Sequence, residues 1–384
     1  MVENASAAAD ESERVWDVIV VGAGPSGIGC GMALTHADVG DFLILDRHEV
    51  GASFARWPAE TRFITPSFNS NQFGTLDLNS FGLRLSPAFT TAREHPTGRE
   101  YAKFLRDVTT YVGLPVRTGV DVLRVEPLPG GGFRLDTSAG TFRATFVIWA
   151  AGEFQYPKGG GFPGAGDCVH SATVASWRAL AGDDFVVVGG NESGIDAAVN
   201  LVACGKSVRV LDRERPWEKI DSDPSAALST YTAERLEAAC GTRRVELLGN
   251  SPVAEVRRRK GGGFLVRTTD GGRYSTPVPP ILATGFDTSL VLVKDQFAWA
   301  GGRVNLTADD ESTTTSGLFL VGPQVWHDQV IFCFIYKFRQ RFAVVVRAIA
   351  DRLGRDTGEF VGLYRSKGMY LDDLSCCKEA CETC

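Results

Sequence analysis

Two segments of the chain share one pattern of hydrophobic and polar positions. Each begins with a short, mostly β-branched apolar run, continues into a glycine-rich turn, and ends in a longer stretch of helix-forming residues. The apolar runs start at Trp16 and Phe185, and the turns after them occupy 22–27 and 189–194. A short apolar run bounded by turn residues is typical of a buried strand. The pattern therefore predicts two strand–turn–helix units of the same kind.

The correspondence continues beyond these units. In each copy a three-glycine turn, at 130–132 or 261–263, precedes an alternating strand and an apolar segment that ends at Gly152 or Gly285. The glycine turns are 131 residues apart and the closing glycines 133 residues apart. A repeat at a nearly constant offset indicates a duplicated unit. Both halves are therefore expected to carry a hairpin followed by a return strand.

The spacing of the glycines in the first turn, GAGPSG, is chemically specific. Gly22 permits the tight turn, Gly24 lets the backbone approach a pyrophosphate, and Gly27 allows close helix packing. The free N–H groups at the start of the following helix attract the anion. Asp46 and Asp212 end the next strand of each copy, near the expected spacing of about 20 residues, where a carboxylate can bind a ribose. Each copy is therefore predicted to bind a dinucleotide.

The chain resembles the flavoproteins with two dinucleotide-binding domains, a family that includes thioredoxin reductases, flavin-containing monooxygenases and bacillithiol-disulfide reductase-like proteins. The resemblance covers roughly residues 15–350. It rests on GAGPSG and GGNESG, on WAAG at 149–152, on ATG at 283–285 and on LFLVGP at 318–323. It implies an α/β fold of two Rossmann-type domains with three-layer ββα architecture, the NAD(P)-binding domain being inserted into the FAD-binding one. FAD is expected on the first turn and NAD(P)H on the second.

The resemblance also predicts the domain organisation. A disordered N-terminus is expected at 1–14, the FAD-binding domain at 15–165 and 286–365, the NAD(P)H-binding domain at 166–285, and a cysteine-rich C-terminal tail at 366–384. A long helix is predicted near 99–112, within an insert that should also form the isoalloxazine pocket. We expect the apolar segment 330–349 to be a buried helix.

The residues assigned to cofactor binding lie in these turns or next to the strand ends. They are Gly22, Gly24, Pro25, Ser26, Gly27, Asp46, Arg47, Trp57, Val122, Gly152, Gly189, Asn191, Glu192, Ser193, Gly194, Arg213, Gly285, Gly322 and Pro323. The family has a Gly-Asp pair where this chain has Gly322 and Pro323, so the acidic contact near the ribityl chain is absent and its replacement is open. No residue is assigned as a metal ligand.

The choice between NADPH and NADH depends on the end of the strand after the second turn. Asp212 favours NADH because a carboxylate repels a 2′-phosphate, whereas Arg213 and Arg215 could bind that phosphate. We expect NADPH, with NADH as the alternative. The two arginines could also serve only as surface residues at the strand end.

Four of the nine cysteines crowd the last nine residues of the sequence. They are Cys376, Cys377, Cys381 and Cys384. Thiolates are the nucleophiles of disulfide exchange, and the CxxC spacing of CETC often lowers a thiol pKa. We predict that these four cysteines are catalytic and pass electrons from reduced flavin to a small-molecule or protein disulfide or to a thiol-bound substrate. Capture of a soft metal or metalloid by the four sulfurs and a regulatory tail are the alternatives.

Two further functions stay open. Gly166 followed by His170 and Ser171 partly matches the linker signature of flavin-containing monooxygenases, which implies a flavin hydroperoxide instead of disulfide chemistry. His170 could position the nicotinamide or be structural. The remaining hypothesis is a binding or sensing protein in which the flavin is vestigial and the cysteine tail binds metal.

Composition and charge indicate a globular enzyme and argue against a nucleic-acid or membrane partner. With 44% hydrophobic and 22% charged residues, the chain can bury the core of a globular enzyme. Its formal charge of -6, with scattered Lys and Arg, provides no broad cationic surface, so no nucleic acid is expected. The first residues lack a signal-peptide pattern, and charges interrupt the segment 330–349. We expect a cytoplasmic enzyme without a membrane partner, and a homodimer, as is common among the proteins it resembles.

Overall fold

The strands of the two repeated segments form two separate main sheets in a computed structural model that describes residues 14–68, 76–221, 223 and 225–375. The strands are, in chain order, β1 (Val15–Val21), β2 (Phe42–Asp46), β3 (Val116–Thr118), β4 (Val122–Pro127), β5 (Phe133–Thr137), β6 (Gly140–Trp149), β7 (Val169–His170), β8 (Asp184–Val188), β9 (Ser207–Leu211), β10 (Val245–Leu248), β11 (Val253–Arg258), β12 (Phe264–Thr268), β13 (Arg273–Thr276), β14 (Ile281–Leu282), β15 (Trp299–Ala300), β16 (Arg303–Val304), β17 (Leu318–Leu320), β18 (Trp326–His327) and β19 (Val330–Ile331).

Helices cover these sheets and connect their strands. Those of the described residues are α1 (Pro25–His36), α2 (Ala52–Ala55), α3 (Ala88–Thr91), α4 (Gly98–Val112), α5 (Glu192–Ala203), α6 (Thr230–Gly241), α7 (Ile335–Arg352) and α8 (Gly358–Ser366). Short 3-10 segments occupy Ala165–Asp167, Ser171–Thr173, Pro216–Glu218 and Ser289–Gln296. No helix in the described ranges combines the length and apolar character needed to cross a membrane.

The first sheet has seven strands, and β6 is its branching point. Its order is β3-β2-β1-β6-β5-β4, with β17 also paired to β6. One edge of β6 pairs in parallel with β1 along most of its length. The other edge pairs with β5 in its first half, antiparallel, and with β17 in its second half, parallel. A parallel sheet and an antiparallel hairpin thus share one long strand.

The second sheet repeats this plan with one break. Its parallel order is β10-β9-β8-β14-β7, and β11, β12 and β13 form a separate antiparallel sheet. The counterpart of β6 is divided into β13 and β14, and Pro277, Pro279 and Pro280 lie between them. Proline has no N–H group for a central ladder, so this strand cannot continue.

Because the second unit lies between β6 and β17 in the chain, it is inserted into the first. The predicted α/β class of two Rossmann-type units is confirmed, and the residue boundaries of the domains stay predictions.

The core of each unit lies between its sheet and the neighbouring helices. In the first unit Ile19 on β1, Ile28 on α1 and Phe342 on α7 are buried together. In the second, Val187 on β8 and Ile195 on α5 belong to a separate buried cluster. A third buried cluster, which includes Val186 and Phe264, also belongs to the second unit. Because no described cluster is shared by the two units, they are treated as separate domains.

Of the two helices predicted from the sequence, one is confirmed and the other is confirmed only in part. The helix expected near 99–112 is α4, which begins with a capping box between Thr97 and Glu100. The buried helix expected at 330–349 is correct only from Ile335 onward. Residues 330–331 are instead β19, which pairs with β18 around a turn where Asp328 has a φ of +48°. An apolar run does not by itself distinguish a buried strand from the start of a buried helix.

Candidate functional site

The first glycine turn lies where β1 ends and α1 begins. Gly22 has a φ of +111°, and a Cβ atom there would lie 2.5 Å from the carbonyl oxygen of Ala150. A Cβ on Gly27 would overlap the carbonyl oxygen of Gly22. Packing therefore requires glycine at both positions. By contrast, no described atom outside Gly24 and its two chain neighbours lies within 4 Å of a Cβ built on Gly24, so the space beside Gly24 is open.

This open space adjoins the start of α1. Gly24 has no side chain to cap the helix, and Pro25 occupies its first turn. The N–H groups of that turn are therefore available to a ligand, and the helix dipole favours an anion there. The turn fits the pyrophosphate of a dinucleotide, because a Cβ at Gly24 would fill the space that the anion needs.

Asp46, at the end of β2, holds this turn in place. Its Oδ2 accepts a hydrogen bond from the N–H of Ala23 at 2.7 Å, and its Oδ1 accepts one from the N–H of His48 at 2.7 Å. Each carboxylate oxygen has more than one acceptor site, so both can accept further bonds. Asp46 orients the glycine turn directly, and its contact with a ribose stays a prediction.

Two other predicted residues lie around Asp46. Arg47 donates from Nε to Oε1 of Gln155 at 2.6 Å. Val122 is buried at the start of β4, two residues after Val120, whose N–H donates to the carbonyl of Asp46 at 2.9 Å. The structure thus brings both to the strand end that carries Asp46.

The remaining residues predicted for the first cofactor come from three separate loops. Trp57 packs its ring against Phe63 with the ring centroids 5.0 Å apart. Gly152 has a φ of +63° in the loop after β6. A Cβ on Gly322, just before Pro323, would lie 2.8 Å from Oγ of Ser26. Gly322 and Ser26 are therefore brought together, and a binding role for these residues stays a prediction.

The second glycine turn repeats the geometry of the first. Gly189 has a φ of +107°, and a Cβ on Gly194 would overlap the carbonyl oxygen of Gly189. The carboxylate of Asp212 accepts hydrogen bonds from the N–H groups of Gly190 and Glu214, both at 2.7 Å. These contacts correspond one for one to those of the first turn. The repeat in the sequence is therefore also a repeat of hydrogen bonds.

The residues between these glycines differ in how their side chains are used. Asn191 and Ser193 are exposed at the start of α5. The carboxylate of Glu192 instead turns toward α6, where it accepts from the N–H of Ser229 and from the hydroxyl of Thr232. Burial raises the pKa of Glu192, against the effect of these hydrogen bonds. Any contact of Glu192 with a phosphate would therefore involve its N–H group.

The two arginines after β9 are also in different environments. Arg215 forms a salt bridge with Glu218 at 3.1 Å. Arg213 is exposed, and in the described part of the chain no hydrogen bond or salt bridge occupies its guanidinium. Arg213 is thus the better placed cation for a phosphate near Asp212.

His170 is fixed by hydrogen bonds to the backbone within the second unit. Nδ1 accepts from the N–H of Ala172 at 3.1 Å, so Nε2 carries the proton that is donated to the carbonyl of Gly285 at 3.0 Å. Burial lowers the pKa of His170, against the effect of its bond to Gly285. Both ring nitrogens are thus used in fixing the crossover at Gly285, which favours the structural role of His170.

Contacts between the two units were not foreseen from the sequence. The carboxylate of Glu60 accepts from the hydroxyl of Ser176 at 2.6 Å and from the N–H of Trp177 at 2.8 Å. Thr61 donates to the buried Asp196 at 2.7 Å. These residues are isolated polar positions in the sequence, so no local pattern could have identified them.

A cleft of about 440 Å³ lies beside these contacts. The first unit contributes Trp57, Arg99 and the loop 154–157, and the second contributes the segment 172–175. The cleft is thus formed jointly by both units, which is where ligands often bind in two-domain proteins.

The described cysteines do not form a redox pair. Cys30, Cys168, Cys204, Cys240 and Cys333 are all free thiols. Burial raises the pKa of Cys168 and of Cys333 to about 11, so both are poor nucleophiles near neutral pH. The cysteines predicted to be catalytic, Cys376, Cys377, Cys381 and Cys384, lie outside the described residues, so their role stays a prediction.

One titratable residue at the first turn was missed by the sequence analysis. Glu153 follows Gly152 directly, and burial raises its pKa to about 7 although a hydrogen bond to the side chain of Gln324 opposes the shift. Only its position after the WAAG motif could have identified it. Few carboxylates have a pKa near neutral pH, and such groups are concentrated at functional sites.

Comparisons of the sequence and of the structure with known proteins both find similarity to oxidoreductases. Residues 19–322 match the family described as pyridine nucleotide-disulphide oxidoreductase. The chain is 28% identical to the uncharacterized oxidoreductase CzcO of Bacillus velezensis over 49% of this chain and 52% of that protein. It is 23% identical to the probable indole-3-pyruvate monooxygenase YUCCA4 of Arabidopsis thaliana over 83% of this chain and 75% of that protein. The chain thus spans about half the length of CzcO.

The fold is similar to a solved structure of the bacillithiol disulfide reductase Bdr (YpdA) from Bacillus cereus. The TM-score is 0.70 at 21% sequence identity, over 88% of this chain and 100% of that chain. At this identity the similarity concerns the fold.

Proposed function

The chain belongs to the pyridine nucleotide-disulphide oxidoreductase family, and from this premise we propose that it is an FAD-dependent NAD(P)H oxidoreductase. The observation that carries the proposal is the pair of glycine turns held by equivalent carboxylates, Asp46 and Asp212. Two such turns in one chain suit an enzyme that binds two dinucleotides at once.

In the first unit the turn at 22–27 holds the pyrophosphate of FAD. Gly24 leaves the space, the first turn of α1 donates N–H groups, and Asp46 fixes the turn and offers its free acceptor sites to the ribose. Arg47, Trp57, Val122, Gly152, Gly322 and Pro323 complete the surroundings of the cofactor.

In the second unit the turn at 189–194 holds NADPH. Arg213 pairs with the 2′-phosphate because its guanidinium is exposed and Asp212 is already engaged by two backbone N–H groups. A carboxylate that accepts two hydrogen bonds repels a neighbouring phosphate less than a free one. NADH binds more weakly because it lacks the group that Arg213 recognises.

Bound FAD would supply the two-electron chemistry, with NADPH as the hydride donor. The chain contributes orientation to this chemistry. Glu60 and Thr61 join the first unit to Trp177 and Asp196 of the second, so the two binding turns are held in one arrangement. The cleft between the units provides the space in which the reacting ends can meet.

The acceptor is a small-molecule or protein disulfide, reached through Cys376, Cys377, Cys381 and Cys384. A thiolate of CETC would attack the substrate disulfide, and the second cysteine would resolve the mixed disulfide and leave a disulfide within CETC. Bound FAD, with NADPH as the donor, would supply the two electrons that return this disulfide to a dithiol. In the overall reaction, NADPH, one proton and one disulfide give NADP⁺ and two thiols. The five described cysteines are free thiols, which supports the assignment of this role to the four cysteines near the end of the sequence.

Truncation tests this assignment of the acceptor. A chain that ends before Ser375 should bind FAD as the full chain does but lose NADPH-dependent reduction of oxidised glutathione or of a protein disulfide. Replacing Cys381 and Cys384 by Ser should have the same effect, whereas Cys240→Ser, which removes a single described thiol, should have none. Unchanged disulfide reduction by the truncated chain would contradict the role of the tail.

A monooxygenase is the second candidate, favoured by the similarity to YUCCA4 along most of the chain. In that case the full and truncated chains should consume oxygen with NADPH at the same rate and hydroxylate or oxygenate an organic substrate. An anaerobic electron count separates the two functions. About two electrons per FAD indicate that the flavin alone is reduced, and about four indicate that a disulfide is reduced as well.

A further inference from the structure

Three segments leave the same edge of the first sheet side by side. Trp149 on β6 pairs with Val21 on β1 and with Leu320 on β17. Val21 is followed at once by the first glycine turn. Glu153 comes four residues after Trp149, and Gln324 comes four residues after Leu320. The register of the sheet therefore brings Glu153 and Gln324 together at the edge that carries the first glycine turn.

A chain of side-chain hydrogen bonds orients Glu153 at this edge. The hydroxyl of Thr288 donates to Oε1 of Gln324, so the opposite end of that amide carries the N–H groups. This end can donate to the carboxylate of Glu153, which is hydrogen-bonded to Gln324. Two residues beyond Glu153, Gln155 accepts the hydrogen bond from Arg47. The loop that carries Glu153 is thus fixed to the strand end after Asp46.

Glu153 forms no salt bridge with a described residue, and the charged side chains near Cys333 are paired with each other. Lys337 forms a salt bridge with Asp223 at 2.6 Å and is neutralised by it. Cys333 lies close enough for Glu153 to affect its ionisation, and burial keeps the thiol neutral by raising its pKa to about 11. Burial is the main reason that the pKa of Glu153 rises to about 7. Of Glu153 and Cys333, Glu153 is therefore the group that changes charge near neutral pH.

We propose that the carboxyl group of Glu153, which lies with Gln324 at the sheet edge that carries the first glycine turn, holds a proton that the first cofactor site can release. The proposal rests on the function proposed above, because it takes the first turn to bind FAD. Loss of the proton adds a negative charge beside the bound cofactor. That charge alters the absorption of oxidised FAD, since its transition energies depend on the local electric field.

The test is a pH titration of the FAD-loaded full chain without any reductant. The visible absorption of bound FAD is recorded from about pH 5.5 to about pH 8.5, a range centred on the pKa of Glu153. The full chain should give a single spectral step with a midpoint near pH 7. Glu153→Gln keeps the size and the hydrogen bond to Gln324 but cannot ionise, so the step should be absent.

Two further variants make the result specific. Gln324→Leu removes the hydrogen bond that favours the ionised carboxylate, so the midpoint should rise by about half a pH unit or more. Glu255→Gln makes the same carboxyl-to-amide change in the second unit, where Glu255 pairs with Arg257 and Arg267, and should leave the step unchanged. If Glu153→Gln does not fold, the shift in Gln324→Leu still tests the proposal.

The failure of this proposal is distinct from failure of the proposed function. A chain that binds FAD but gives no step, or gives the same step after Glu153→Gln or the same midpoint after Gln324→Leu, overturns the role of Glu153 and leaves the oxidoreductase function intact. A chain that does not bind FAD overturns the proposed function itself.

Discussion

We predict that the glycines of the first turn divide into those needed for folding and one needed for binding. Gly27→Ala places a Cβ against the carbonyl oxygen of Gly22 and should destabilise the chain by about 1–3 kcal/mol or more. Gly24→Ala meets open space and should leave the thermal unfolding temperature nearly unchanged while lowering the FAD content of the purified protein. Calorimetry and the FAD-to-protein ratio measure the two effects. Equal loss of stability in both variants would contradict this division.

Arg213 is predicted to select NADPH over NADH. Arg213→Ala should weaken NADPH binding about tenfold or more, since a charge-assisted hydrogen bond is lost, and should leave NADH binding nearly unchanged. The ratio of the dissociation constants for the two nucleotides is the measurement. Arg259→Ala, at an exposed turn of the second unit, is the matched control and should not alter that ratio. A ratio that is unchanged in Arg213→Ala would assign the phosphate to another residue.

Glu153 should also make the stability of the cofactor-free chain depend on pH. Its pKa in the folded chain, about 7, lies above the ordinary 4.5, so the folded state binds the proton more tightly than the unfolded state. The stabilisation from this proton is complete below about pH 4.5 and is lost as pH rises through about 7. Relative to Glu153→Gln, the chain should lose about 1–3 kcal/mol of unfolding free energy between about pH 5 and about pH 8. Urea unfolding at both pH values checks this, and parallel curves for the two proteins would refute it.

At the scale of single residues, the sequence predicts the chemical role of a residue better than it predicts the partners of its hydrogen bonds. The roles of Gly22, Gly24 and Gly27 could be proposed because their spacing has a local physical cause. Asp46 was identified as well, but its bonds to Ala23 and His48 were not, since they depend on the exact approach of two loops. Glu153 was missed because only the pairing of β6 with β17 brings it to Gln324.

Helix α7 illustrates how one element is tied to the rest of the first unit. Arg341 and Asp310 are both buried, and the guanidinium donates to both carboxylate oxygens, at 2.8 and 2.9 Å. His327 also bonds to Asp310, at 2.5 Å. Nearer the surface, Arg347 pairs with Asp309. The segment before β17 is thus fixed to α7 by this buried pair and by two partly exposed pairs, Arg347 with Asp309 and Arg352 with Glu311.

The pairs of Arg341 and Arg347 should differ in their effect on stability. Arg341→Met leaves the carboxylate of Asp310 buried without its cation and should cost about 3–5 kcal/mol. Arg347→Met breaks a partly exposed pair and should cost about 1 kcal/mol or less. Urea unfolding of the two variants is the comparison. Similar losses in both would show that burial does not control the strength of these pairs.

At the scale of elements, the repeat in the sequence predicted both sheets but not their differences. Both hairpins and both return strands occur as expected. The division of the second return strand at Pro277, Pro279 and Pro280 could have been read from the prolines. The formation of strand β19 at 330–331, where a helix was expected to begin, could not be predicted from the sequence, because an apolar run is compatible with a strand and with a helix.

At the scale of the molecule, the account depends on two cofactor sites that work together. The sequence predicts both sites because each is a local motif. It does not predict the interface of Glu60 and Thr61 with Trp177 and Asp196, because these residues are far apart in the chain. That interface sets the relative position of the two sites, so it can be known only from the folded structure.

The most direct test of this account is an anaerobic titration of the FAD-loaded full chain with NADPH, followed by the visible absorption of the flavin. The account predicts about one FAD per chain and a flavin band that bleaches as NADPH is added, more readily than with NADH. A purified chain that binds no FAD, or bound FAD that stays oxidised with both nucleotides, would contradict it.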